Sequence, residues 1–181
     1  PIAFWKDPDG SRYSDAYFHK FPGIWIHGDF IEIRDHGGVV VYGRSDATLN
    51  PGGIRIGSAE IYRVVEALEE VLDSLVIGVD EGQDFRLILF VITQEGLSGD
   101  LRRKINSALR REATPRHVPH EIYQVREIPK TLNGKKMELA VRDIFQGNQP
   151  ANRSSMVNPG CLREYEIIRA NRITVPGKEV P

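Results

Sequence analysis

Two apolar runs, Leu75-Val76-Ile77-Gly78-Val79 and Phe85-Arg86-Leu87-Ile88-Leu89-Phe90-Val91-Ile92, constrain this chain more than any other stretch. They are short, rich in β-branched and aromatic residues, and separated by an acidic, glycine-containing turn, which is the pattern of strands at the core of a sheet. Such a sheet needs covering. Upstream, Ile61, Val64, Val65, Leu68, Val71 and Leu72 follow helical spacing with Glu66, Glu69 and Glu70 outside, and Ser58 is placed to cap that helix. Downstream, Leu101, Ile105, Ala108 and Leu109 mark a second amphipathic helix. Its outer face carries Arg102, Arg103, Lys104, Arg110 and Arg111, a basic face of the kind that is usually only solvated. A turn-rich connector at residues 114–119, a strand from His120 to Ile128 and a helix beginning near Met137 complete the order. Alternation of this kind predicts a small α+β domain over residues 46–147.

Residues 1–45 read as short strands and turns. Phe30-Ile31-Glu32-Ile33 and Val39-Val40-Val41-Tyr42 flank Asp35-His36-Gly37-Gly38 as a β-hairpin, Ile24-Trp25-Ile26 reads as a strand, and Asp7-Pro8-Asp9-Gly10 as a turn. Two or three strands cannot bury Trp5, Trp25 and the phenylalanines around them. The segment is therefore expected either to pack on the domain that follows or to be the last section of a preceding domain. The absence of an initiator methionine before Pro1 agrees with a piece of a longer chain. From Asn148 the chain reads as a polar linker, a short helix over residues 162–169 and a fraying end over residues 174–181, together a C-terminal tail of residues 148–181.

Charge excludes one class of partner. Lysine plus arginine total 24 against 25 acidic residues, a net charge of -1, so no field exists of the kind nucleic-acid binders use, although a few local cations could hold a small anion. Cys161 is the lone cysteine, so no internal disulfide forms, and no Cys/His cluster has metal-ligand spacing. No metal site is expected, and Cys161 reads as an inert thiol. No apolar run approaches the length of a membrane span. A reducing, cytoplasmic setting fits these features.

The stretch Glu-Ile-Pro-Lys-Thr-Leu-Asn-Gly-Lys-Lys-Met at residues 127–137 has the shape of a catalytic loop: an apolar strand end, a proline, an Asn-Gly turn and two lysines before a helix. A lysine projected by that turn suits an anionic partner as a compact, flexible point charge. By themselves Lys130, Lys135 and Lys136 read as solvated surface lysines. A second glycine-rich stretch, residues 43–57, joins the hairpin to the small domain and is a hinge candidate, with Asn50-Pro51-Gly52-Gly53 as its turn.

Three motifs in order change that reading: His27-Gly28-Asp29, then Gly43-Arg44-Ser45-Asp46 continuing to Gly53-Ile54-Arg55-Ile56, then Pro129-Lys130-Thr131-Leu132-Asn133-Gly134-Lys135. Together they resemble the C-terminal third of the AMP-forming acyl-CoA synthetases, the adenylate-forming superfamily, over nearly the whole chain. Residues 18–29 and 43–66 look most like members that act on acetoacetate. Ala47, where many relatives have a second acid, and Leu132-Asn133, where arginine-serine is more usual, depart from acetyl-type members and fit the acetoacetate group.

The resemblance implies a fold: a small mobile C-terminal domain of mixed sheet and flanking helices, preceded by β-strands from the end of a large N-terminal AMP-binding domain. It also implies a reaction in two halves, in which a carboxylate attacks ATP to give an acyl adenylate and pyrophosphate, and CoA then displaces AMP. By the same resemblance Lys135 is the adenylation lysine, Asp29 holds the ribose hydroxyls, Arg44 and Arg55 contact the nucleotide, and Asp46 is the hinge. Gly53 and Gly52 line the pantetheine route, and Arg110, or Arg111 beside it, lies near the CoA phosphate. ATP, Mg²⁺ and a short-chain carboxylic acid would be held mainly by the N-terminal domain, so this stretch alone is expected to be inactive. Two other readings remain open at the level of sequence: a ligase for acetate, propionate or a similar short acid, and a non-catalytic interaction module that kept the fold.

Overall fold

The computed structural model describes residues 2–45, 49–82, 84–150 and 153–173. Near the N-terminus a helix, α1 (Ser11–Phe18), occupies ground expected to hold only strands and turns. Its hydrophobic signal is weak because none of its residues is buried. Local bonds make it: the Asp7 carboxylate accepts from the Arg12 and Tyr13 amides at 3.1 and 2.9 Å, and Asp9 accepts from the Ser11 amide at 3.2 Å. The Asp-Pro-Asp-Gly turn is thus a helix start. Tyr13 and Tyr17, one turn apart, meet Phe4 and Trp25 in an aromatic cluster. Trp25 belongs to no strand, contrary to expectation, and Ile26 instead donates its amide to the Tyr17 carbonyl. The expected hairpin forms from β1 (Asp29–Ile33) and β2 (Val39–Arg44), antiparallel.

The rest is a three-layer unit. Its sheet has the order β3 (Val71–Glu81), β4 (Asp84–Thr93), β5 (Glu121–Gln124), with β3 and β4 antiparallel and β4 and β5 parallel. The parallel pair requires a crossover, and α3 (Gly99–Glu112) supplies it. Because side chains alternate along a strand, each strand feeds two cores. Val76, Leu87, Leu89, Val91 and Ile122 meet α2 (Ser58–Val65) and α3 on one face. Leu75, Ile77, Val79, Ile88 and Phe90 meet α4 (Glu138–Gln146) and α5 (Leu162–Ile173) on the other. The mixed sheet with flanking helices is the predicted class of fold.

Three boundaries differ from those read in sequence. Helix α2 ends at Val65, and Val71 and Leu72 lie in β3, where Val71 pairs with Thr93 and a bulge leaves Leu72 60% exposed. Helical and extended spacing coincide at Val71, and pairing with β4 decides between them. Ser58 is not the cap: Gly57 occupies that position, and its amide donates to Glu60 Oε1 at 2.9 Å. Strand β5 is shorter than expected. The Val125 amide still bonds Val91, after which the chain leaves β4 and Ile128 buries itself in the core below the sheet.

Beyond Asn148 the polar composition conceals an apolar anchor. Met156, Leu162 and Tyr165 are buried in the same core, with the Tyr165 ring 4.8 Å from that of Phe90 and its hydroxyl donating to the Glu127 carbonyl at 3.0 Å. Arg172 ties the end of α5 to Glu121 of β5 and Glu81 of β3. Residues 174–181 lie outside the described residues.

Candidate functional site

Lys135 sits on a hairpin whose arms meet at Lys130 and Lys136. The Thr131 amide bonds the Lys135 carbonyl at 2.9 Å, the Gly134 amide bonds the Thr131 carbonyl at 2.8 Å, and Gly134 has a φ of 75°. This is a tight turn closed by a glycine in the left-handed region, a conformation glycine enters without steric cost. Asn133 does not need positive φ, so the Asn-Gly signal acts through its second residue. The hairpin is buttressed from behind by residues 155–157, with the Leu132 amide bonded to Ser155 and the Val157 amide to Lys130. Lys135 is exposed, and among the described residues its ammonium has no hydrogen bond or ion pair.

Its two lysine neighbours are engaged. Lys130 Nζ lies 2.6 Å from Asp73 Oδ2; Lys136 Nζ lies 2.8 Å from Asp73 Oδ1, bonds Glu66, and donates to the Ser74 carbonyl at 2.6 Å. The Tyr62 ring covers Lys136 Nζ at 4.0 Å from its centroid. Burial would raise the Asp73 carboxyl, but hydrogen bonds from Lys130 and Lys136 outweigh it and hold the group below the usual carboxylate range. Tyr62 is pushed well upward by burial and by the charge of Glu138, which accepts its hydroxyl at 3.0 Å. The network spans α2, β3 and the start of α4. No sequence motif announces it, since the lysines lie more than fifty residues from their acceptors, as with Lys136 and Ser74 at a separation of 62.

The glycine turn rests on the core shared with α2 and α3. Leu49 and Ile56, both buried in the core beneath α2 and α3, exchange backbone bonds of 3.0 and 2.8 Å and close a loop around a single 3-10 turn at Pro51–Gly53. Gly53 has a φ of 81°, and a Cβ built there meets nothing within 4 Å. Gly52 lies in the same turn. The Pro51 carbonyl accepts from Arg116 at 3.3 Å, so the connector after α3 braces the loop. Arg116 was not among the sequence candidates. Next to it His117 is buried, bonded to the Thr114 hydroxyl at 2.9 Å, with Nε2 3.4 Å from Glu60 but without hydrogen-bond geometry.

The remaining candidates divide between two places. Asp29 and Arg44 are direct register partners at the open end of the hairpin, and the Arg55 guanidinium lies 5.5 Å from the Phe30 ring centroid, so the segment after the glycine turn reaches that hairpin. Asp29 is bonded to His27 Nδ1. Arg110 lies in the last turn of α3, exposed, without a partner among the described residues, whereas adjacent Arg111 pairs with Glu112 at 2.7 Å. Asp46 falls outside the described residues. No hydrogen bond or ion pair among the described residues joins Lys135 to Asp29, Arg55 or Arg110. The structure therefore pairs the backbones of Asp29 and Arg44 and brings Arg55 against the same hairpin.

Cys161 is half-buried, and burial, with the charge of Glu127, pushes its thiol up to about 11. Such a thiol is protonated at neutral pH and a poor nucleophile. Among the described residues no group of three or more His, Cys, Asp or Glu side chains could hold a metal ion, and no helix is long and apolar enough to cross a membrane.

The mixed sheet with flanking helices agrees with what comparison finds. The sequence model of the AMP-binding enzyme C-terminal domain matches residues 60–135. Over almost its whole length the chain is similar to acetoacetyl-CoA synthetases. It is 51% identical to that of Rhizobium meliloti (strain 1021), over 90% of this chain and 25% of the relative, and 46% identical to that of Gallus gallus, over 93% and 26%. The solved acetoacetyl-CoA synthetase of Streptomyces lividans superposes with a TM-score of 0.86 at 44% identity, over 95% of this chain and 26% of that one. The chain thus spans about a quarter of the length of the curated relatives it matches.

Proposed function

We propose that this chain is the C-terminal portion of an ATP-dependent acid-CoA ligase that converts acetoacetate, ATP and CoA to acetoacetyl-CoA, AMP and pyrophosphate. The observation that carries the reading is Lys135: an exposed, unpaired ammonium on a hairpin whose other lysines are tied down, in a unit that also holds an open glycine turn. The choice of acetoacetate rests on similarity to acetoacetyl-CoA synthetases, because the acid pocket would lie outside this chain.

In the first half-reaction the carboxylate attacks the α-phosphorus of ATP and pyrophosphate leaves. Lys135 lies between the two anions and offsets the negative charge that gathers as they meet. Asp29 accepts from the ribose hydroxyls, which donate to it as a paired acceptor. Arg44 contacts the nucleotide and Arg55 reaches its phosphates. The small domain then rotates about Asp46, so that Gly52 and Gly53 flank the thiol route and Arg110 meets the CoA phosphate. The CoA thiol attacks the acyl carbonyl, AMP leaves and the thiol proton is released. Mg²⁺, like ATP and the acid, would be held mainly by the N-terminal domain. The setting is cytoplasmic.

Lys135→Ala in the full-length protein tests the assignment. Acid-dependent pyrophosphate exchange should fall on the order of a hundredfold or more, the cost of losing a charge-stabilising group at a reacting centre. Thioester formation from supplied acyl adenylate should survive. Equal loss in both halves, or loss in neither, overturns the reading.

A further inference from the structure

Of the hairpin's lysines, Lys136 is the most enclosed: its side chain is 19% exposed against 40% for Lys130, while Lys135 faces solvent. Its ammonium has three donors, and three acceptors meet them: Glu66, Asp73 and the Ser74 carbonyl, with the Tyr62 ring alongside. Lys130, its bridge partner on the other arm, takes the second oxygen of the same Asp73 carboxylate. One carboxylate at the start of β3 therefore holds both arms of the hairpin. Glu66 is itself fixed by the Ser74 hydroxyl at 2.6 Å. Two cations and two anions make the cluster neutral.

Lys135 directly precedes Lys136, whose backbone bridges to Lys130, so fixing Lys136 constrains the direction in which Lys135 leaves the backbone. We propose that Lys136 is a positioning residue for the adenylation half-reaction, holding the hairpin through Asp73, Glu66 and Ser74 so that Lys135 is presented in one direction. The inference rests on the reading of Lys135 given above. A cation that must lie between two anions gains from a preset direction, and displacement by about 1 Å can cost about a hundredfold in rate. A purely structural ion cluster would weaken every activity of the small domain together, whereas a positioning cluster acts in the half-reaction that uses Lys135.

The test compares half-reactions in the full-length protein. Lys136→Met keeps the aliphatic stem and removes the ammonium. Pyrophosphate exchange with ATP and acetoacetate should fall between about tenfold and a hundredfold. Thioester formation from supplied acetoacetyl adenylate and CoA should keep the unaltered protein's rate, which also reports an intact fold. Lys136→Arg should restore part of the exchange. If Lys136→Met does not fold, Lys136→Arg and Asp73→Asn carry the test: a fall confined to exchange supports the proposal, and a proportional fall in both half-reactions, or none, overturns it. Lys135→Ala run alongside separates the two levels. If it loses exchange while Lys136→Met does not, only the positioning role fails; if Lys135→Ala keeps exchange, the reading beneath it fails as well.

Discussion

The glycine turn at residues 49–56 and the lysine hairpin at residues 130–136 are similar in size and differ in what holds them. The turn is closed by Leu49 and Ile56, 3% and 1% exposed, sunk in the core beneath α2 and α3, with the Arg116 hydrogen bond as a side-chain brace. The hairpin rests on a neutral ion cluster around Asp73 and on backbone bonds to residues 155–157. Each leaves open the feature its proposed chemistry needs: empty space at Gly53 and a free ammonium at Lys135. A loop that must let a thiol pass is best held from below by apolar contacts. A loop that must aim one charge is best held by other charges, whose partners define direction as well as attachment.

Substitution at Gly53 should break the symmetry most sharply, as the reciprocal of Lys135→Ala. Gly53→Leu should abolish thioester formation in the full-length protein and leave pyrophosphate exchange largely intact. A non-glycine residue in the left-handed region costs about 1–2 kcal/mol, so thermal melting belongs beside the two assays. Gly53→Asn separates strain from obstruction, because asparagine tolerates that backbone better. Normal acetoacetyl-CoA production by a folded Gly53→Leu protein would remove the turn from the thiol route.

A smaller effect is expected at the brace. Arg116→Ala removes the bond to Pro51 and leaves the apolar closure in place. At about 1 kcal/mol for a net hydrogen bond, the KM for CoA should rise roughly fivefold with exchange unchanged. No change would mean that Leu49 and Ile56 hold the turn without help.

Acid should distinguish the two loops with the least perturbation. The folded Asp73 carboxyl is held below its ordinary value, so its contribution is fully present above the unfolded value of about 3.9 and is lost as pH falls through the depressed one. Hydrogen-exchange protection at the Thr131 and Lys135 amides should therefore decline in acid before that at Leu49 and Ile56. Simultaneous loss would show that the ion cluster does not hold the hairpin independently of the core.

The sheet strands, helix α3 and the Asn-Gly turn were legible because short-range rules suffice for them: apolar runs bounded by turn residues, helical spacing at Leu101, Ile105, Ala108 and Leu109, and a glycine able to take positive φ. The candidate residues Asp29, Lys135 and Gly53 were legible because they stand in motifs of fixed order. Helix α1 was missed because its start is made by Asp7 and Asp9 rather than by an apolar face, and the end of α2 was misplaced because the cross-strand pairing that claims Val71 is a contact across the sheet.

Sequence by itself determined where a charge and an open backbone would occur, since those are properties of lysine and glycine at particular turns. Only the tertiary structure decided which lysine is free. Lys130, Lys135 and Lys136 are chemically alike, and what separates them is Asp73 and Glu66, brought from more than fifty residues away by the packing of α2 and β3 against the hairpin. Coulombic and hydrogen-bond energies depend on distance in space, and chain separation carries little information about that distance until the core has formed.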